Sequence, residues 1–318
     1  MSGLLGLVCA MLLIFLFGVL LMRLACVSQC SSADGLIVRS GNRFLRAFVG
    51  ISETFFLLGI AVIMSAGVGA LFRQILGVPE FVSCAVFCVA LFLLSLGGHE
   101  RMMNVFSLTV PLLVAFTVAV SVFAFFRFPD AMHFEKNDGN VNPLLSNWWI
   151  SAVTFVSYNI FSSVQILAPV GVYAKSKRKL VTGIGLGTLM LLVIALCIFA
   201  SLCKYPDASH YELPMLTVAS RISPIAGLVY SGLLLMGMLG TALSSMVAVL
   251  HYALSKICVS GNSNKLRLIC SVLFALLIYA GGLLGFGDLV GTVYPLCGYF
   301  GIAAIIMLAE HFIHIRKQ

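Results

Sequence analysis

Apolar stretches of about 20 residues recur from one end of this chain to the other, and each is long enough as a helix to cross a hydrocarbon layer of ~30 Å. A chain built from such stretches can satisfy its backbone within a bilayer only by forming helices or closed sheets, and the runs lack the alternation of strands. Nine segments are predicted to span a membrane: 4–22, 47–72, 81–96, 102–126, 148–170, 180–202, 222–254, 268–286 and 289–309. We therefore predict an all-α polytopic membrane protein with about nine transmembrane helices.

The composition and charge placement agree with a membrane protein. Hydrophobic residues make up 61% of the chain and charged residues only 9%, whereas soluble domains carry about 25% charged residues. Successive loops between the predicted spans lie on alternate sides of the membrane. One side then holds all but five of the 19 Lys and Arg residues, and the other side holds Arg73, Arg127, Lys136, Lys204 and Arg221. The positive-inside rule makes the basic side cytoplasmic and predicts a cytoplasmic C-terminus in the cell membrane. The net charge of +8 is therefore a topology signal, and nucleic acid is not predicted as a partner.

The connections between the segments are too short for a separate catalytic domain, so we treat 1–318 as one transmembrane domain whose function lies between its helices. Two enzyme-like patterns are weak. Gly285-Phe286-Gly287-Asp288 is similar to a motif of intramembrane aspartyl proteases, but no predicted span supplies the second aspartate. Gly183-x-Gly185-x-Gly187 has no preceding strand and indicates helix packing rather than phosphate binding. The protein is predicted not to be an enzyme and to hold no cofactor other than a sodium ion.

The fifth segment carries an unusual concentration of polar side chains within nine residues: Ser157, Tyr158, Asn159, Ser162, Ser163 and Gln165. At ~100° per residue they cover about 240° of the helix circumference, which lipid cannot surround. Either the segment is buried on nearly all sides, or its helix is broken and freed backbone groups line a cavity. Hydrogen bonding between helices is the structural alternative. The density of polar groups favours a solute site formed by these six residues.

Two further features bear on coupling to an ion. The seventh segment places Gly237, Gly240, Thr241, Ser244 and Ser245 on one stripe about 140° wide, which suits either close helix packing or an oxygen cage for a hard cation.

Glu53 is the only carboxylate inside a predicted span, where ionisable groups are costly and often functional, although pairing with Arg46 is a structural alternative. Because no other buried Asp, Lys or His is predicted, sodium coupling through Thr241, Ser244 and Ser245 is favoured over a proton relay.

Four stretches resemble the YkvI-type membrane proteins, which are relatives of the amino acid, polyamine and organocation carriers. They are Met64-Ser-Ala-Gly-Val-Gly-Ala-Leu71, Val156-Ser157-Tyr158-Asn159, Glu212-Leu-Pro-Met-Leu216 and Gly285-Phe-Gly-Asp-Leu-Val-Gly-Thr-Val-Tyr-Pro-Leu-Cys-Gly-Tyr299. The resemblance covers about residues 4–310. It implies the leucine-transporter fold, in which two inverted five-helix repeats enclose a midplane site between discontinuous first and sixth helices.

In that fold the nine segments match helices two to ten, so the first helix is missing: 1–127 is an incomplete first repeat and 147–318 the second. The fifth segment takes the place of the discontinuous sixth helix. The seventh segment takes the place of the eighth helix of that fold, which supplies hydroxyls to the ion in sodium-coupled relatives. The resemblance thus assigns Thr241, Ser244 and Ser245 to sodium. We also expect the biological protein to begin upstream of Met1, with about 25 to 35 further residues that include one more span.

Together these features predict a sodium-coupled secondary transporter, a symporter, for a small solute such as an amino acid or related amine. The alternative is a truncated or degenerate carrier that binds or scaffolds without transport. The predicted partners are the solute and the lipid bilayer.

Overall fold

Helices form nearly all of the regular structure in the computed structural model, which describes residues 2–30, 33–38, 42–97, 99–127, 142–173, 176–257 and 263–316. In chain order they are α1 (Ser2–Ser28), α2 (Ala33–Ile37), α3 (Arg43–Leu76), α4 (Glu80–Leu96), α5 (His99–Arg127), α6 (Trp148–Tyr173), α7 (Lys177–Lys204), α8 (Pro214–Ile222), α9 (Pro224–Ile257), α10 (Ser263–Gly282) and α11 (Phe286–Arg316). Two short 3-10 helices lie at Pro143–Leu145 and Pro206–His210. These described ranges contain no strand.

Within the described ranges, seven helices are long and apolar enough to cross a membrane: α1, α3, α5, α7, α9, α10 and α11. The apolar helix α4 is shorter, with 17 residues, and α6 has 26 residues and carries the polar cluster. The expectation of an all-helical polytopic membrane protein is confirmed at this level. Each predicted segment falls on one of these helices, while nine crossings and an inverted repeat remain predictions.

Two predicted segment ends are wrong, and both lie at turns. The segment 268–286 runs past the end of α10, because Gly285 adopts a φ of +92° that favours glycine and separates α10 from α11. The segment 222–254 begins too early, because Ser223 is extended (φ −161°, ψ 141°) before Pro224 opens α9. A residue that precedes proline is disfavoured in the helical region.

The chain forms two compact units. Unit 1 comprises 1–56, 137–192 and 291–318, and unit 2 comprises 57–136 and 193–290. The helices α3, α7 and α11 each contribute residues to both units.

Close backbone contacts organise unit 1. The helix α1 packs along α6, and a Cβ atom added to Gly171 would lie 2.9 Å from the carbonyl oxygen of Met22. The helix α11 crosses α6 equally closely, because a Cβ atom on Gly301 would lie 2.6 Å from the carbonyl oxygen of Ser157. His311 of α11 donates from Nδ1 to the carbonyl oxygen of Leu36 in α2, at 2.8 Å. Glycine is therefore required where the α6 backbone meets its neighbours.

Unit 2 has an apolar core around α9, which contacts α4, α5, α8 and α10. Within it the ring of Phe116 stacks on Tyr230, with centroids 6.0 Å apart, and Thr117 Oγ1 lies 3.2 Å from the Tyr230 hydroxyl. On the α3 side, Cβ atoms on Gly281 and Gly282 would meet Val62 and Ser65, each at 2.7 Å. Small residues again permit the tight contacts between apolar helices that are typical of membrane proteins.

Candidate functional site

The polar cluster of the fifth predicted segment lies on a continuous helix. The backbone of α6 is helical from Trp148 to Tyr173, so the expectation of a broken helix is wrong. The side chains donate hydrogen bonds to carbonyl oxygens of their own helix: Ser157 to Val153 (2.7 Å), Asn159 to Phe155 (2.8 Å), Ser162 to Asn159 (3.0 Å) and Ser163 to Ile160 (2.9 Å). Because these donors are satisfied within the helix, the helix need not unwind to accommodate them.

Burial explains how a helix with polar groups on several sides fits between apolar neighbours. Every residue from Thr154 to Val164 is buried or half-buried, and Ser157 is only 1% exposed. The structure therefore corresponds to the other alternative, in which the segment is enclosed on nearly all sides. The side chain of Gln165 lies outside the described part of the chain.

Two members of the cluster face α11 within unit 1. The ring of Tyr158 stacks on Tyr294, with centroids 4.8 Å apart and planes inclined by 16°. Ser157 lies at a close crossing of α11, opposite Gly301. Their contacts are those of helix packing, so a solute could reach Ser157 only if α6 and α11 moved apart.

Asn159 and Ser163 point to a different place, a cavity of about 920 Å³ within unit 1. Its walls come from α1, α6 and α7, and they include Gly18, Thr188 and Leu191. The volume is within the ~300–1,000 Å³ typical of small-molecule sites, which are mostly apolar with a few placed polar groups. Of the five predicted solute-binding residues whose side chains the structure describes, these two are brought together at a space that a ligand could occupy.

The prediction that the glycine run of α7 serves helix packing is wrong for two of its three glycines. Gly183 and Gly187 are exposed, nothing lies within 4 Å of a Cβ atom added to either, and both line the cavity. Only Gly185 meets a neighbour, the ring of Phe15 at 3.5 Å, an ordinary van der Waals distance. The four-residue spacing of Gly183 and Gly187 puts both on one helix face, and this spacing is the signal that could have indicated a cavity wall.

The hydroxyl stripe lies on α9 in unit 2. Thr241 is exposed and donates to the carbonyl oxygen of Gly237 at 2.9 Å, while half-buried Ser244 donates to that of Thr241 at 2.9 Å. Ser245 is buried. A Cβ atom on Gly237 would meet only Leu113, at 3.7 Å, so this glycine does not mark a close approach of helices. Hydroxyl oxygens that donate their proton to a carbonyl keep lone pairs that can accept a cation.

Glu53 lies in the part of α3 that belongs to unit 1 and is fully buried. One turn further along, the ring of Phe56 contacts Phe161 of α6, with centroids 5.8 Å apart. Glu53 does not line the cavity. Within the described ranges, no group of three or more His, Cys, Asp or Glu residues is placed to hold a metal ion.

These helices define a polytopic α-helical membrane protein with a cavity lined by α1, α6 and α7. No protein-family model matches the chain. The chain is similar to "Uncharacterized membrane protein YkvI" of Bacillus subtilis (strain 168), with 26% identity over 260 residues, which are 81% of this chain and 71% of the relative. The name of this relative gives a membrane location and no activity, and it agrees with the resemblance found in the sequence motifs.

Proposed function

We propose that this protein is a secondary transporter of the cell membrane that binds a small solute, an amino acid or related amine, in the cavity between α1, α6 and α7. The observation that carries the proposal is that Asn159 and Ser163 line this cavity from the middle of α6, where residues 154–164 are buried or half-buried. Polar groups at such depth, beside a space of about 920 Å³, are typical of a solute path through a membrane.

Side chains, rather than an unwound backbone, would make the contacts, because α6 is continuous. Asn159 uses its Nδ2 atom within the helix, which leaves its carbonyl oxygen as an acceptor for a solute ammonium group. The hydroxyl groups of Ser163 and Thr188 also donate within their helices, and their oxygen atoms keep acceptor capacity toward the cavity. Three neutral acceptors in an apolar cavity suit a small amine-bearing solute.

Sodium coupling is the second part of the proposal. Thr241, Ser244 and Ser245 would supply hydroxyl oxygens, the type of ligand that a hard cation prefers. The intrahelical bonds of Thr241 and Ser244 orient their hydrogens toward backbone carbonyls, so the lone pairs face away from the helix.

The continuity of α6 favours one alternative, a carrier-like protein that binds a solute without moving it. The discontinuous helix implied by the family resemblance is not found here. Such a protein would bind the same solute at Asn159 and Ser163 but would not accumulate it across a membrane.

Binding to purified protein tests the site. Each standard amino acid and putrescine, radiolabelled, would be tested against the full chain in detergent. For any ligand that binds, Asn159→Ala or Ser163→Ala should weaken affinity about 5- to 150-fold, since a lost polar contact costs ~1 to 3 kcal/mol. Ser151→Ala is the matched control, because Ser151 makes the same kind of bond, to the Asn147 carbonyl, elsewhere on α6 and does not line the cavity. Equal losses of ligand affinity in all three variants would show that the solute site lies elsewhere.

A further inference from the structure

The cavity has a charged end that the proposed solute site does not use. Lys179, Ser176 and Tyr173 line it where α6 ends and α7 begins. From Lys179 the cavity follows α7 as far as Leu191, a helical rise of about 18 Å at ~1.5 Å per residue. The cavity is therefore a long groove with neutral polar groups toward one end and a lysine at the other.

The stretch next to Lys179 is apolar. Leu167 and Val170 of α6 face Leu180 and Ile184 of α7 across it, and Met22 of α1 completes the wall. Gly183 and Gly187 leave the α7 side open, since nothing lies within 4 Å of a Cβ atom added to either. Among the described residues that line the groove, none is acidic.

The position of α7 makes this groove accessible from the bilayer. Only 11% of the apolar part of α7 is buried within the protein. This is the lowest fraction among the helices of the described ranges that could span a membrane. Lys179 is two residues from the start of α7, so it lies at the end of a span, where the hydrocarbon layer meets the headgroups. Exposed Arg178 is next to it in sequence, and exposed Arg23 follows Met22 on α1.

We propose that this groove is a binding site for an anionic phospholipid, whose phosphate lies at Lys179 and whose acyl chain begins along the apolar stretch between Lys179 and Gly187. This stretch is about 12 Å long, at ~1.5 Å of rise per residue. Basic pockets between spanning helices attract anionic headgroups, each lysine or arginine near the surface strengthening the attraction. The site lies beside the Asn159 end of the cavity, and it stands whether or not the protein transports a solute.

Lipid quenching of a single tryptophan tests the headgroup preference. The full chain would carry Tyr173→Trp, with Trp148→Phe and Trp149→Phe to remove the native tryptophans, in nanodiscs that contain phospholipids brominated near the carboxyl end of the acyl chain. Tyr173 is 82% exposed and lines the groove, so the substitution should be tolerated. Brominated phosphatidylglycerol should quench at about fivefold lower mole fraction than brominated phosphatidylcholine, the effect of about one basic residue.

Variants then locate the site. Lys179→Gln should reduce the preference for phosphatidylglycerol, whereas Lys179→Arg should keep it. Equal quenching by both lipids in the parent protein, or an unchanged preference in Lys179→Gln, would overturn the proposal.

Variants that fill the groove test separately whether an acyl chain lies in it. Gly183→Leu together with Gly187→Leu should reduce quenching by both lipids, because the leucine side chains would occupy the acyl-chain space. Gly232→Leu on α9 is the matched control, since Gly232 is also an exposed helical glycine with nothing within 4 Å of an added Cβ atom. Quenching that is unchanged in the double variant would contradict an acyl chain in the groove, and the readout does not depend on solute transport.

Discussion

Serine and asparagine side chains in the middle of α6 donate hydrogen bonds to carbonyl oxygens of their own helix. These bonds decide whether a cluster of polar residues breaks the helix or is accommodated within it. The residues themselves were sufficient to predict that lipid cannot surround this helix, and the enclosure from Thr154 to Val164 agrees. The predicted break was wrong, because Ser157, Asn159, Ser162 and Ser163 bond to carbonyls of the same helix. The sequence gives the number of polar groups in a helix, but it does not show whether their hydrogen bonds are made to the backbone of the same helix.

The glycine run of α7 was equally ambiguous. Glycine gives no signal that separates a close helix contact from an open cavity wall, because both require only the absence of a side chain. Gly171 and Gly301 occupy close contacts, whereas Gly183 and Gly187 face open space. Only the positions of the neighbouring helices decide between the two.

At the residue scale, we expect sodium dependence to rest on the α9 hydroxyls. A Thr241→Ala, Ser245→Ala double variant should lose the enhancement of solute binding by sodium, because the ion would lose two oxygen ligands, while binding without sodium should be retained. Solute binding measured in sodium and in potassium buffers would check this. Thr182→Ala, which removes an exposed hydroxyl with the same intrahelical bonding on α7, should have no effect. Full sodium dependence in the double variant would place the ion site elsewhere.

At the scale of helices, the sequence predicted the positions of the apolar elements well, because a long apolar run has few alternatives to a helix in a membrane. Their ends depend on single residues. Gly285 and Ser223 end or begin helices through backbone conformations that hydrophobicity does not report.

The crossing of α6 and α11 should be intolerant of even one methyl group. Gly301→Ala would put a Cβ atom 2.6 Å from the Ser157 carbonyl oxygen, so the helices would have to separate, at a cost of ~1 to 3 kcal/mol. Gly287→Ala on the same helix is the control, because nothing lies within 4 Å of its added Cβ atom. Thermal unfolding in detergent should show a lower midpoint for Gly301→Ala alone, and equal midpoints would refute the close crossing.

The short helix α8 should be held by apolar burial rather than by the ion pair of Glu212, which lies two residues before it. Arg73 pairs with Glu80 and Glu212, but its side chain is 54% exposed, and such pairs contribute about 0–1 kcal/mol. Leu216 is 1% exposed, and its replacement by alanine should cost ~2 to 5 kcal/mol. Thermal unfolding of Arg73→Gln and Leu216→Ala should therefore differ clearly. A larger loss in Arg73→Gln would show that the ion pairs dominate.

At the scale of the whole molecule, hydrophobicity predicted a polytopic membrane protein, and the helices agree. The cavity between α1, α6 and α7 could not be predicted, because residues distant in sequence, such as Gly18, Asn159 and Thr188, meet there only after the helices pack. The orientation inferred from the basic residues and the inverted-repeat assignment remain predictions of the sequence.

Solute flux into proteoliposomes would show whether the protein transports the solute that it binds. Purified protein would be reconstituted into vesicles loaded with potassium, and a solute that binds to it would be added outside with sodium. A sodium-coupled transporter should accumulate the solute above its external concentration while the sodium gradient lasts, and should not accumulate it when external sodium is replaced by potassium. Intact binding of the solute without any accumulation in sodium would contradict transport and identify the protein as a binding or scaffold protein.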